Sequence, residues 1–548
     1  MKRILAFAAL TVLVLSASSC AKSRAEKMAL AENVKVTCNP EVLQLVGDNI
    51  PAEITVSYPE DYFYPNAIVS VTPVLVYEGG SQVGPTFTYQ GENVKDNYTV
   101  ISHDNGGKVS QKVNFKYDKG VEKSYLELRG KCTYGKTTIE IAPFKVAEGV
   151  NTTAQLVDLG GTFAVAEDGY QYVLHKSTEG EIHYDVNSAV VKKSELRNQS
   201  IKELQAALEA IENDARTNVT GTQIIAYASP EGGQKLNAEL SDKRAGTAEK
   251  AWNKLNDKKA DDVQVKSIGQ DWEGFQTAVS ESNIKDKELI LRVLNMYSDP
   301  AVRESEIRNM SQVYTELADK VFPELRRARF VTNYDYKNFT DEELAELADK
   351  AVNTLDETAL LKVAANTEDT QRKAVLYNIA EQKFGSQKAL YNLAATYLSK
   401  GEPSVAEHYL DKLADQKDAA TLNLRGVAAL LKKNFDAASV YFTQAGTPEA
   451  KANLGAIDIA KGDYAAAVKK LAGTGSVNEA LANILNGDLG AASKVLTGKD
   501  GLTDYLKAII AARKGDIANA KALIKAAGEK VSALATRAAT DIEFANVQ

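Results

Sequence analysis

Cysteine, histidine and tryptophan are scarce in this chain: three, four and two among 548 residues. So few thiols and imidazoles leave little for a metal cluster, which needs several such ligands at fixed spacing. His103, His175, His183 and His408 are scattered, and none begins a His-Glu-x-x-His string. No glycine-rich loop ends in Lys-Ser or Lys-Thr, so the usual phosphate cradle is missing. No metal and no cofactor is expected. Basic charge is not in excess either: 65 Lys and Arg stand against 73 Asp and Glu, for a net charge of −8. Such a balance cannot neutralise a phosphate backbone and argues against nucleic acid as a partner. Beyond residue 15 no apolar run approaches the ~20 residues that span a bilayer. What remains is ordinary: 44% apolar and 25% charged residues, as in soluble globular proteins. The length suggests about three to four domains.

The one long apolar run stands at the start. Lys2 and Arg3 precede Ile4–Leu15, interrupted only by Thr11, and Ser16-Ala17-Ser18-Ser19 follows. A basic head, a short apolar stretch and small residues make a secretory signal over residues 1–19. Cys20 comes next, ahead of the polar Ala21-Lys22-Ser23-Arg24-Ala25-Glu26-Lys27. This junction resembles a bacterial lipoprotein signal, with Ala17 where Leu is usual. The resemblance implies that Cys20 becomes the lipidated first residue of an outer-membrane protein, with residues 20–33 as a lipidated linker. The anchored chain would face the periplasm or the cell surface. Cleavage would remove Lys2 and Arg3 and lower the net charge to −10. Cys38 and Cys132 are then left as an even pair in an oxidising compartment, which permits a disulfide; two reduced core thiols are the alternative.

Residues 34–150 alternate. Glu53–Tyr58, Ala67–Thr72, Lys112–Tyr117, Ser124–Gly130 and Lys136–Ile141 all show period two with β-branched and aromatic residues. Gly-rich turns at 78–80 and 104–107 separate them. The pattern predicts an antiparallel β-sandwich of about seven strands. Residues 151–337 mix strands (Tyr172–His175, Ile182–Val186, Gln223–Tyr227, Val263–Lys266, Arg327–Val331) with amphipathic helices. The helices are predicted over 194–215, 237–255, 288–298 and 302–322. A charged helical connector follows over 338–388.

From residue 389 to 548 the chain is alanine-rich and periodic. Gly401, Lys433, Gly462, Gly487 and Gly515 each stand five residues before an alanine: Ala406, Ala438, Ala467, Ala492 and Ala520. Those alanines are 32, 29, 25 and 28 residues apart. Glycine turns the chain and alanine lets two helices approach closely. The pattern resembles tetratricopeptide repeats, whose period is 34. The resemblance implies an α-helical solenoid whose surface binds a peptide or protein partner.

One stretch carries recognisable chemistry. Ile225-Ala226-Tyr227-Ala228-Ser229-Pro230-Glu231-Gly232 is followed by Asn237-Ala238-Glu239-Leu240-Ser241-Asp242-Lys243-Arg244-Ala245, and Tyr184–Ala189 stands upstream. These residues resemble the OmpA-like C-terminal domain, which grips peptidoglycan. Gly269–Gly274 and Phe322–Arg327 look like the version found in Bacteroidetes envelope proteins. The resemblance implies an α+β fold for residues 151–337, with a helical insertion. It also implies that Arg244 pairs with the carboxylate of a peptidoglycan stem. A helix beginning near Asn237 would add its positive end to that site. The family's Asp, which holds the ligand's amine, is replaced by Ser229, with Glu231 two residues on as the nearest substitute. A salt bridge from Arg244 to Glu231 or Glu239 is the purely structural alternative.

The expected function is non-catalytic: an outer-membrane lipoprotein that links the envelope, and peptidoglycan if Ser229, Glu231, Asn237 and Arg244 bind it, to a protein partner on the repeats. The rival is an accessory subunit of an assembly, export or uptake machine whose OmpA-like domain is structural. A cell-wall hydrolase would need a close, buried carboxylate pair in a cleft.

Overall fold

Alternation becomes paired strands in the N-terminal region. A computed structural model describes residues 20–256 and 262–547; the expected signal peptide lies outside them. Lys35–Asn39, Asn49–Tyr58 and Gly107–Lys116 form a three-stranded antiparallel sheet. Thr137–Glu148, Tyr125–Tyr134, Ala67–Tyr77, Phe87–Gln90 and Thr99–Val100 lie side by side in a second sheet. Ile50, Ile54, Val56 and Phe115 from the first sheet meet Val69, Leu75, Tyr89 and Leu126 from the second in one buried core. Each comes from the inward face of its alternating strand. The one parallel pairing in the second sheet is Thr99–Val100 on Phe87–Gln90.

Two expectations are corrected in this region. Cys38 and Cys132 are both free, buried thiols rather than a disulfide. They lie in different sheets, and the Cys132 thiol sits 3.8 Å from the Met28 sulfur. Burial pushes both thiols up to about 11, where they are unreactive. Residues 20–33 are not simply a linker. Cys20–Ala29 is a helix, and it delivers Ala25 and Met28 into the sandwich core.

The repeats follow the predicted grammar. The first helices of five pairs are Gln387–Ser399, Ala419–Leu431, Pro448–Lys461, Val477–Leu485 and Gly501–Lys514. The second helices are Pro403–Lys412, Phe435–Ala445, Tyr464–Leu471, Leu489–Val495 and Ile517–Lys530. Ser386, Asp418, Thr447, Ser476 and Asp500 cap the first helices through their side chains, satisfying otherwise orphaned N–H groups. The five alanines singled out above are fully buried. Close approach is literal: a Cβ on Gly426 would stand 2.4 Å from the Phe442 ring.

The chain divides into two compact units: residues up to Glu167 together with Glu381 onward, and Asp168–Ala380. Sandwich and repeats thus belong to one unit. They are joined at the C-terminus, where Glu543 accepts from Asn151 (2.7 Å) and the Thr153 hydroxyl (2.8 Å). Arg537 donates to the Thr152 carbonyl at 2.8 Å.

The second unit is built on a four-stranded sheet in the order Val173–His183, Arg327–Lys337, Thr217–Ala228, Val263–Gln270. The last two strands pair in parallel and the other neighbours antiparallel. Helix Gln199–Asn213, capped by Asn198, and helix Gln234–Leu255 pack on it through Ile201, Leu204, Ala248 and Trp252. The predicted helix 302–322 is instead two, Pro300–Asn309 and Ser311–Lys320, parted at Met310. A helix the pattern did not disclose, Trp272–Glu281, is capped by Asp271, whose carboxylate also takes a hydrogen bond from Arg327 at 3.1 Å. Helices Asp341–Lys350 and Glu357–Asn366 occupy the predicted connector.

Candidate functional site

The four residues read as a ligand site do come together, and their bonds run inward. Arg244 is 1% exposed. Its guanidinium donates to three main-chain carbonyls: Ser188 at 3.0 Å, Tyr227 at 2.9 Å and Asp185 at 3.2 Å. It lies over the Tyr184 ring, 5.0 Å from the centroid. Burial pushes the guanidinium down to about 10, although the neighbouring Tyr184 works the other way. The buried cation is surrounded by carbonyls, and it ties the turn at 185–188 to the end of strand Thr217–Ala228.

The loop is braced in the same manner. The Ser229 hydroxyl donates to Glu231 at 2.7 Å. Arg326 grips the same carboxylate with two bonds, at 2.7 and 3.0 Å. The expected Arg244–Glu231 or Arg244–Glu239 bridge is therefore replaced by Arg326–Glu231. Helix Gln234–Leu255 begins three residues before Asn237, and the Asn237 amide closes the loop by donating to the carbonyls of Ser229 (3.0 Å) and Gly232 (2.6 Å). Asn237 is thus a clasp within the first turn. Nearby, Glu181, His183 and Glu324 bring their ligand atoms within 4.8 Å of one another, with Glu324 exposed.

A second arrangement, unforeseen, lies on the repeats. Residues 157–167 leave the sandwich without regular structure and run along the first helices, from the fourth repeat back to the first. The Asn478 carboxamide accepts from the Asp158 N–H and donates to its carbonyl, both at 2.8 Å. Asn453 treats Thr162 likewise, at 2.7 and 2.9 Å, and Asn423 adds a second donor to that carbonyl at 2.9 Å. Asn392 holds Ala166 at 2.8 and 3.1 Å. The Tyr391 hydroxyl donates to the Ala164 carbonyl at 2.8 Å. Asn392, Asn423 and Asn453 are buried. A carboxamide presents an N–H donor beside a C=O acceptor, the same pair a neighbouring strand would offer. Every fourth residue of the segment is thus gripped at both its N–H and its C=O.

A signal for this ladder was present. Asn392, Asn453 and Asn478 each stand nine residues before their turn glycine, and Asn423 stands ten before Lys433. Asparagine is a poor helix former, so its recurrence inside successive helices calls for a partner.

No family model matches the chain, and no curated protein matches it. Among solved structures, a tetratricopeptide repeat protein from Parabacteroides merdae is 15% identical, over 35% of this chain and 85% of that one, with a TM-score of 0.29. The Cut9–Hcn1 hetero-tetramer of APC/C is 14% identical over 56% and 77%, with a TM-score of 0.32. Yeast Tom70 is 12% identical over 62% and 78%, with a TM-score of 0.27. The reading of the repeats rests on their own helix pairs, turns and buried alanines.

Proposed function

We propose that this chain is a non-catalytic outer-membrane lipoprotein of the Bacteroidetes type, anchored through Cys20, that scaffolds a protein assembly at the envelope. Its repeat region is a protein-interaction arm. The OmpA-like domain, over about residues 168–337, is a structural module. The observation that carries this choice is the commitment of Arg244 to three carbonyls while Glu231 is held by Arg326. A wall-binding site would need that guanidinium free. The accessory-subunit reading is thereby favoured over the peptidoglycan tether.

Two measurements on the full chain test the reading. Cys20→Ser should move the protein from the membrane to the soluble fraction; unchanged fractionation would refute the anchor. Soluble muropeptides should not bind the wild-type chain. Binding that Arg244→Ala abolishes without unfolding the domain would restore the tether and refute the structural role.

A further inference from the structure

We propose that the row of Asn392, Asn423, Asn453 and Asn478 is a peptide-binding site that reads main chain, that segment 157–167 is its resident ligand in cis, and that a partner polypeptide enters it by presenting an extended segment of the same pattern and displacing the resident. The proposal deepens the reading of the repeats as a protein-binding arm and is independent of the lipid anchor and the OmpA-like domain.

The hydrogen bonds alone would accept almost any extended chain, because they fall on N–H and C=O groups. Side-chain fit supplies the selectivity. Leu159 and Phe163 pack against the apolar cluster of the first three repeats, and Leu156 and Val157 against that of the later ones. Gly161 has φ +80°, and a Cβ there would stand 2.6 Å from a Val427 methyl. The ligand pattern is therefore apolar-x-Gly-x-Phe-x-x-Ala, set by Leu159, Gly161, Phe163 and Ala166. The segment is also removable. Asp158, Gly160, Thr162, Ala164 and Val165 face solvent, with Val165 64% exposed, so the segment lies on the surface of the repeats and lifting it away costs its own side-chain contacts without breaking a helix pair. Its tether gives it a high effective concentration, which keeps weak free peptides out.

The test uses the full chain and a fluorescent peptide spanning residues 155–168. Thr162→Pro with Ala166→Pro removes the two N–H groups that Asn453 and Asn392 accept. Hydrogen exchange over residues 157–167 reports release, and far-UV circular dichroism reports intact repeats. Should the prolines unfold the arm, Gly161→Val releases the segment by the clash with Val427. The released chain should bind the peptide at least tenfold more tightly than wild type does. Adding Asn453→Ala should remove that gain, and a peptide with Val in place of Gly161 should fail to bind. The proposal is overturned if both release variants keep 157–167 protected, if the released chain binds no better than wild type, or if the gain survives Asn453→Ala. Whether the wild-type chain captures an envelope protein is a separate readout, so the scaffold reading stands or falls apart from this one.

Discussion

At the scale of a residue, Arg244 shows how a side chain chemically suited to a ligand can be turned to the protein's own main chain. A guanidinium fits a carboxylate with two parallel bonds. Here its donors are turned to Ser188, Tyr227 and Asp185, and the side chain is buried. Removing it takes a donor from the Ser188 and Tyr227 carbonyls, while the Asp185 carbonyl keeps the Ser188 N–H at 3.1 Å. An unsatisfied buried polar group costs about 1–3 kcal/mol, so Arg244→Ala should destabilise the second unit by roughly 3 kcal/mol or more. Arg244→Lys, with one compact ammonium, should fall between the two. Urea unfolding followed by tryptophan fluorescence, from Trp252 and Trp272 of this unit, measures both. A loss below about 1 kcal/mol for the alanine variant would show that the brace is dispensable.

At the scale of an element, the repeats depend on small residues where two helices cross. Ala467 is fully buried between helices Pro448–Lys461 and Tyr464–Leu471, and Gly455 has no room for a Cβ, which would meet Leu471 at 2.6 Å. Ala467→Phe should wedge the pair apart at a cost of about 1–3 kcal/mol, the usual range for overpacking. Solenoid contacts are between neighbours, so the loss of exchange protection should centre on residues 448–471 and fade within one repeat on either side. Equal loss across residues 168–337 would contradict the separation of the two units.

At the scale of the whole molecule, the first unit is made of two stretches far apart in the chain. Its seam is ionic. Burial pushes the Glu543 carboxyl up, but Arg513 and the hydrogen bonds from Asn151 and Thr153 outweigh it and hold the group below the ordinary carboxylate value. A depressed pKa in the fold means that the stabilisation is fully present above the unfolded value, near 4.5, and is lost as pH falls through the folded one. Acid should therefore loosen residues 150–153 and 537–547 at a pH below 4.5, and Glu543→Gln should flatten that dependence; hydrogen exchange against pH measures it. A second expectation concerns the inserted unit. Replacing Asp168–Ala380 with a flexible linker of about ten residues should leave sandwich and repeats folded, because Lys388 already reaches the Glu167 carbonyl at 3.1 Å. A cooperative far-UV melt with exchange protection over 387–530 would confirm it, and a molten spectrum would refute it.

Much of the architecture is local and was therefore legible. Period-two alternation specifies strands over residues 49–58 and 107–116, and the five Gly-to-Ala spacings specify helix pairs, because both depend on neighbours within a few turns of chain. What escaped was pairing over long separations. That Cys38 and Cys132 lie in different sheets, with Met28 against Cys132, is settled only when a helix from residues 20–29 packs on the sandwich. That Glu231 meets Arg326 rather than Arg244 depends on strand Arg327–Lys337 entering the sheet beside Thr217–Ala228. Residues 151–167 carry no periodicity, so nothing in them announced that they belong with repeats more than 200 residues away rather than with the domain that follows. Periodicity reports which face of an element is buried. Which distant group meets a polar side chain is decided by packing, and for Arg244 and the asparagine row that choice separates a ligand site from a brace and an open surface from an occupied one.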